Sequence, residues 1–582
     1  MWKNRQPGSL MFQKILFAII CLLAISLDMA ADAYLFSKGT SDYTIVVSQD
    51  ASQSEQTAAR ELQTYLQQIS GVRINISSTP TPKMIHIGWS PATGYKKPDD
   101  TFQGFRYVTS DGSLYIYGGR NQGTMYGVYA FLENELGIRW YTSQFTKVPK
   151  RKSWKLPRLD VSETPFIQRR LDFYYDALRN PSWCAHNRLN DINAVTNCKY
   201  GHYSGYWGIH TFFTFFPPQE YFASHPEYYS FRNGKRIDSG QLCLSNSEMY
   251  TLLVSKLLSV IRQNPGYWCY DVSQMDNEDY CQCQRCQDLA EKYGGQSGLM
   301  IWFVNKVATE IGKYFPDVMI GTFAYMYTRH APQNIQPSKN VIVRLCNVEC
   351  CFSHPLNSTT CAVNTDFIED LYAWSRLTER IYIWDYVTDF VEYHTPYPNF
   401  RVLGPNIRTF GENGVVGLME EGSHDSPWSE FSELRQWILA KLLWNPDENV
   451  DALAREFCMD YYGNAGTDIF DYWQNIQDQV TDDTHIHFNS RCRDMWYSDD
   501  FIEESVHKIE KTLEKCSNDT IISKRVKRVL AQMYFVYVCR NYAASMVNGR
   551  YRALKEILEE DPAIIRENNY DLDRYLISSG YT

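Results

Sequence analysis

Apolar residues recur along the chain with two periods, and the change from one rhythm to another divides it. Tyr43-Thr44-Ile45-Val46-Val47 reads as a strand. Residues 54–69 place Ala58, Leu62, Tyr65 and Ile69 at helical spacing on one face, and Gly71 supplies the stop. Ile85-His86-Ile87-Gly88 is a second short strand. Phe105-Arg106-Tyr107-Val108 and Leu114-Tyr115-Ile116-Tyr117 flank Asp111-Gly112, a pair that tolerates positive φ and so favours a tight hairpin turn. A helix over about 123–136 ends at Gly137. These elements predict a small α/β accessory domain over 34–155.

A basic, proline-containing linker runs over 149–165, and beyond it strands alternate with helices. Eight strand candidates stand at 169–174, 209–215, 241–245, 268–276, 319–327, 341–346, 381–387 and 415–421. Helical patterns at 299–314, 366–377 and 430–443 separate the later ones. Parallel strands joined by helical crossovers predict an α/β fold, a (β/α)8 TIM barrel over 156–448. The third strand is short and the second crossover irregular. From 449 to 582 the chain reads as a helical C-terminal region, with charged-and-apolar periodicity at 501–516, 522–544 and 553–560.

The first 33 residues carry a different pattern. Lys14 precedes an unbroken apolar run over 15–25, followed by Ala31-Asp32-Ala33, a small-residue cleavage pattern. This predicts a signal peptide over 1–33 and export to the periplasm, cell surface or medium. The run is short for a membrane span, so no membrane insertion is expected after cleavage. A net charge of −10 argues against a nucleic-acid partner, because phosphate recognition needs basic patches. Aromatic residues make up 15% of the chain, including 42 Tyr and 15 Trp, and such rings suit the apolar C–H faces of sugars.

Barrel enzymes place their chemistry at the C-terminal ends of the strands. The richest such end is Gln274-Met275-Asp276-Asn277-Glu278. Side chains alternate in a strand, so Asp276 and Glu278 share a face if the strand extends that far, at about 6–7 Å along it. Two carboxylates that close disfavour joint ionisation, leaving one protonated as a general acid beside an anion. Glycoside hydrolysis uses that division of labour. The plainer reading of a lone D-x-E is an acidic loop in solvent. Glu420 and Glu421 close the eighth strand, and either is the rival acid or nucleophile of an ordinary retaining pair; Glu421 shares parity with Gly417 and Met419 and is expected to point inward. Asp172, His210, Tyr325, Trp384 and Asp385, at or near other strand ends, are candidate substrate-binding residues, each with structural packing as its alternative. Arg344 pairs either with an acidic sugar or with a neighbouring carboxylate.

Asp276-x-Glu278 resembles the D-x-E that closes the fourth strand in chitinase-type hydrolases. The resemblance implies substrate-assisted catalysis, with Glu278 as acid and then base and Asp276 orienting a 2-acetamido group. The earlier acidic position of that longer motif is Gln274 here. Glu55-Gln56-Thr57-Ala58-Ala59-Arg60-Glu61-Leu62, Gly118-Gly119-Arg120 and Gly137-Ile138-Arg139-Trp140 are similar to the N-terminal domain of hexosaminidases and α-glucuronidases. The stretch from Asp276 to Cys286 resembles glycoside hydrolase family 163. That likeness implies a retaining endo-β-N-acetylglucosaminidase acting on the chitobiose core of complex N-glycans, with a glycan or glycoprotein as partner. Alternatives are an exo-acting β-hexosaminidase or α-glucuronidase-like hydrolase, and a glycan-binding protein without turnover. No dinucleotide, phosphate-loop or nucleophile-elbow motif appears, so no cofactor is expected. Cys281, Cys283 and Cys286 form a Cys-x-Cys-x-x-Cys group suited to a disulfide or structural zinc, but a closed zinc site needs a fourth ligand and none is evident nearby, so no metal is assigned.

Overall fold

A computed structural model describes residues 34–191, 195–560 and 572–581. The expected signal peptide at 1–33 lies outside the described residues. The chain forms two compact units. One comprises the described residues up to Arg139, with 148–164 and 199–201; the other comprises 140–147, 165–198 and residues from 202 onward.

The first unit is built on a six-stranded mixed sheet. Its strands are β1 (Thr44–Val47), β2 (Ile76–Ser77), β3 (Met84–Ile87), β4 (Phe105–Ser110), β5 (Ser113–Gly118) and β6 (Asp160–Glu163), in the order β6-β4-β5-β3-β1-β2. Asp111 (φ 48°) and Gly112 (φ 73°) turn β4 into the antiparallel β5, as that pair predicts. Helix α1 (Gln53–Ser70) starts on a reciprocal cap, in which Ser52 accepts from the Glu55 N–H and the Glu55 side chain accepts from the Ser52 N–H. It ends at Gly71 (φ 78°). Ala58, Leu62, Leu66 and Ile69 form its buried stripe, with Leu66 where the sequence pattern suggests Tyr65. Helix α2 (Gly123–Asn134) is buried along nearly its whole length.

The second unit contains a seven-stranded, wholly parallel sheet. Its strands are β7 (Arg169–Phe173), β8 (Tyr206–Trp207), β9 (Cys269–Asp271), β10 (Met319–Ala324), β11 (Val341–Cys346), β12 (Ile381–Tyr386) and β13 (Val415–Glu421). Their order is β7-β13-β12-β11-β10-β9-β8. The first strand thus pairs with the last, as in a barrel, and the sheet curls around Leu171, Tyr206, Phe323, Ile342, Tyr382, Trp384 and Met419. The Arg344 guanidinium fills the interior, 3.7 Å from the Tyr206 ring centre and 4.7 Å from that of Tyr382. On the opposite parity, Val341, Val343, Leu345, Ile381, Ile383 and Leu418 join the core formed with the helices.

The expected closed eight-strand barrel is therefore corrected to a curled seven-strand sheet among the described residues. The third strand at 241–245 does not form; Leu242 makes one isolated bridge to Tyr229. The second candidate at 209–215 is replaced by the two-residue β8. Gly208 (φ 78°) and His210 (φ 50°) turn the chain out of the sheet, and Phe212–Phe215 winds into a helical turn. β9 stops at Asp271 because side chains take over its ladder partners. The Ser273 N–H donates to Thr211 Oγ1 (3.4 Å), and the Met275 N–H to Gln241 Oε1 (2.8 Å).

The sheet's outer face is covered by α3 (Ser247–Gln263), α4 (Gln284–Tyr293), α5 (Gln296–Gly312), α6 (Thr365–Leu377), α7 (Phe400–Glu412) and α8 (Ser432–Trp444). Later helices include Val450–Tyr461, Gly466–Gln477, Asp499–Lys515 and Thr520–Arg540, whose residues Phe457, Trp473, Val506 and Val529 belong to the same core. Among the described residues no helix is long and apolar enough to cross a membrane.

Candidate active site

A cavity of about 480 Å³ opens at the C-terminal ends of the parallel strands. Phe173, Phe323, Trp384, Tyr386, Phe390 and Phe488 give it aromatic walls. Its polar groups are His210, Asp276, Tyr325, Arg344, Glu421 and His424. A mostly apolar hollow with a few convergent polar groups is the usual form of a small-ligand site.

Several of the polar groups are held by identifiable partners. The Tyr325 hydroxyl donates to Asp276 Oδ1 at 2.9 Å, and its own ionisation is pushed upward by burial and by that carboxylate. His210 sits in the left-handed region, which costs a non-glycine residue strain that the surroundings must hold. Its N–H donates to Ser273 Oγ (3.1 Å), and its Nδ1 meets the Gln274 carbonyl at 2.7 Å. Since a carbonyl only accepts, Nδ1 carries a proton and donates it there.

Glu421 is the buried acid of the cavity. Only 7% of its surface is exposed, and burial pushes its carboxyl up to about 7. The Trp384 indole N–H donating to Oε2 and the Arg344 charge both work against that rise. Tyr386 and Cys346 feel the charges of both Glu421 and Asp276, so the two carboxylates act on one region of the cavity. Arg344 is buried, and among the described residues it forms no ion pair within 4 Å and its Nε has no hydrogen-bond partner. Its sequence neighbours Ile342 and Cys346 share its inward face.

His210, Tyr325, Arg344, Trp384, Asp276 and Glu421 are thus brought together, whereas Glu278, Asp172, Asp385 and Glu420 lie elsewhere. Glu278 is exposed and outside the cavity lining, because β9 ends seven residues before it and the alternation assumed for Asp276 and Glu278 does not hold. Asp172, Asp385 and Glu420 are fully buried and also absent from the lining. They lie in register across β7, β13 and β12, on the parity that faces the helices. Burial, the first cause in each case, pushes all three upward, Asp385 to about 6. Asn347 donates to Asp385, and the Asp385 charge also acts on Glu420, whose two carboxyl oxygens have no hydrogen-bond partner among the described residues.

The sequence reading missed Tyr386, Phe390, His424 and Phe488. Tyr386 shares the parity of Trp384 and was accessible to the same argument. Phe488 arrives from a distant segment with no local signal. Among the described residues two groupings of metal-ligating side chains occur, Cys243 with Cys281, Cys283 and Cys286, and Cys351 with His354, Cys361 and His485; none of these lines the cavity.

No curated protein matches the sequence. Among solved structures, a family GH115 4-O-methyl-α-glucuronidase with specificity for decorated arabinogalactans aligns with 92% of this chain and 78% of its own, at 12% identity and a TM-score of 0.58. The family 89 glycoside hydrolase from Clostridium perfringens, in complex with 2-acetamido-1,2-dideoxynojirimycin, aligns with 88% of this chain at 10% identity and a TM-score of 0.52. The same enzyme as a variant with its substrate GlcNAc-α-1,4-galactose gives 10% identity over 88% and a TM-score of 0.51. This chain spans 65% and 64% of the length of those two structures. At such identities the likeness is one of fold. Residues 140–474, which include every residue of the cavity except Phe488, match the domain of unknown function DUF4838, and the chain belongs to that family.

Proposed function

We propose that the protein is a glycoside hydrolase whose proton donor is Glu421 and whose second carboxylate is Asp276. The observation that carries this reading is Glu421 itself, a buried carboxyl raised to about 7 at a strand end, opening into an aromatic-walled cavity that Asp276, hydrogen-bonded to Tyr325, also lines. A general acid is most effective when its pKa lies near the working pH. Glu421 in its neutral form donates a proton to the glycosidic oxygen as the bond to the anomeric carbon breaks. As a carboxylate it then takes a proton from the water that attacks that carbon.

The substrate class we favour is a glycan containing N-acetylglucosamine, the core of a complex N-glycan in the form implied by the family 163 resemblance. Asp276, oriented by the Tyr325 hydroxyl, is suited to accept the N–H of a 2-acetamido group. That arrangement lets the acetamido oxygen attack the anomeric carbon and form a cyclic intermediate, which water opens. The apolar segment at 15–25 supports placing the enzyme outside the cytoplasm. A second reading rests on Arg344, a buried cation lining the cavity without an ion-pair partner, which suits an acidic sugar.

The test is digestion of a complex-type N-glycoprotein alongside panels of chromogenic N-acetylhexosaminides and uronides. Release of glycans cut within the chitobiose core supports the first reading, and selective cleavage of uronides the second. Glu421→Gln is expected to lower turnover by about 10²–10⁴-fold, whereas Glu278→Gln keeps it within a few-fold. Full turnover by Glu421→Gln, or loss of turnover with Glu278→Gln alone, rejects the assignment of the acid.

A further inference from the structure

Four cysteines from two separate stretches meet beside the loop that carries Asp276. Cys281 and Cys283 precede α4, and Cys286 lies in its first turn; Cys243 comes from the segment that fails to form a third strand. Their four sulfurs all lie within 4.8 Å of one another. Cys243 Sγ is 3.7 Å from Cys283 Sγ and 3.8 Å from Cys286 Sγ. Tetrahedral geometry with metal–sulfur bonds of about 2.3 Å places sulfurs about 3.8 Å apart. A disulfide would require about 2.05 Å, and all four thiols are free. The outer contacts also suit thiolates. Cys281 Sγ accepts from the Phe231 N–H at 3.3 Å and has Arg236 Nη1 at 3.7 Å. The Ser245 hydroxyl stands 3.2 Å from Cys286 Sγ, 3.5 Å from Cys243 Sγ and 3.6 Å from Cys283 Sγ.

We propose that Cys243, Cys281, Cys283 and Cys286 bind a structural Zn²⁺ ion. Four protein ligands leave no open position, so the ion serves architecture and not catalysis. Cys243 is the fourth ligand that the sequence pattern lacked, and the absence of a metal expected from sequence is revised accordingly. The ion ties residues 241–245 to the chain after β9. Two residues before Cys243, the Gln241 amide donates to the carbonyls of Met275 (2.9 Å) and Asn277 (2.8 Å), on either side of Asp276. The clip thus takes the place of the missing strand and fixes the Asp276 loop. Closing so long a loop is where a metal clip gains most.

A second cluster carries the same inference from different residues. Cys351 Sγ lies 3.4 Å from His354 Nδ1 and 3.4 Å from His485 Nδ1, and Cys361 Sγ lies 3.8 Å from His485 Nδ1. All four ligand atoms fall within 4.8 Å of one another. His354 Nε2 donates to the Thr481 carbonyl at 3.0 Å, which fixes the tautomer and leaves Nδ1 free to ligate. Two thiolates and two imidazoles are a zinc set. This ion staples the loop after β11 to the segment that carries Phe488 into the cavity wall.

The experiment is elemental analysis of the full chain purified without chelators, with zinc K-edge absorption spectroscopy and mass-spectrometric mapping of disulfides. The expected result is about two zinc ions per chain, with mixed sulfur and nitrogen scattering at about 2.3 and 2.0 Å. Cys283→Ser should remove one ion and the nitrogen fraction should rise; His485→Gln should remove the other and leave sulfur alone. The wild-type measurements stand even if a variant fails to fold. Chain that holds no zinc after dialysis against Zn²⁺, that holds iron instead, or that shows disulfides among these cysteines overturns the proposal.

Discussion

Glu420 and Glu421 are neighbours on β13, yet strand geometry sends them to opposite sides of the sheet, and burial acts on each differently. Glu420 has no exposed surface and lies with Asp172 and Asp385 behind the sheet, where burial pushes its carboxyl well upward. Glu421 opens into the cavity, where its pKa of about 7 leaves the proton exchangeable near neutral pH. If Glu421 is the acid, turnover on its substrate should fall as pH rises through about 7, because the deprotonated form cannot donate. Glu421→Gln should abolish that limb together with most of the rate. Glu420→Gln changes a carboxyl outside the cavity lining, so turnover should stay within a few-fold. A pH–rate profile of the three proteins decides it; a Glu420→Gln enzyme as inactive as Glu421→Gln would show that side-chain parity does not separate their roles. Tyr325→Phe removes the hydroxyl bonded to Asp276 and should lower turnover more than affinity if Asp276 acts only when so oriented.

Where strands are long and continuous, their pattern in the sequence is the pattern in the structure. The candidates at 341–346 and 415–421 have the observed bounds, and those at 169–174, 319–327 and 381–387 run one to three residues too far. The early half of the sheet was less legible because its shape is set by tertiary partners and not by periodicity. Thr211, Gln241 and Ser273 compete for the backbone with hydroxyls and amides, and left-handed turns at Gly208 and His210 break a run whose aromatic residues otherwise read as β. For that reason Asp276 and Glu278 share no strand face, since β9 ends at Asp271. Glu421, argued from parity in an uninterrupted strand, did reach the cavity. One glycine in the early half is required by close approach. A Cβ on Gly321 in β10 would lie 1.8 Å from the Tyr206 hydroxyl, which donates to Asp271 Oδ1 at 2.8 Å while the Tyr206 ring stacks on Arg344. Gly321→Ala should therefore cost about 1–3 kcal/mol, read as a lower denaturation midpoint in urea. An unchanged midpoint would mean that β8 moves aside freely.

At the scale of the whole molecule, buried carboxyls dominate the dependence of stability on pH. Burial is the first cause raising Asp172, Asp176, Asp271, Asp385, Asp389, Glu420, Glu421 and Glu430, with Asp271 and Asp385 at about 6 and Glu421 and Glu430 at about 7. A folded state that holds these protons more tightly than the unfolded chain is favoured in acid. Its advantage is complete below the ordinary carboxyl range of about 4 and is lost as pH climbs through the raised values. Buried histidines oppose this only at lower pH. His394, pushed down to about 4, is protonated in the unfolded chain up to about 6.5, so its contribution to stability grows with pH until that point and then stops. Above about 6.5 the carboxyls act without that opposition. The melting temperature should therefore fall between pH 6.5 and 8, a range in which thiolate and imidazole ligands keep any bound zinc. Glu421→Gln should flatten the slope by removing one group that titrates there, whatever its effect on activity. Glu430, in a fully buried ion pair with Arg435, is still raised to about 7 by burial and titrates in the same range. Thermal unfolding at half-unit steps of pH tests this, and a melting temperature that rises across the range would mean that these carboxyls reach water or a cation in the folded protein.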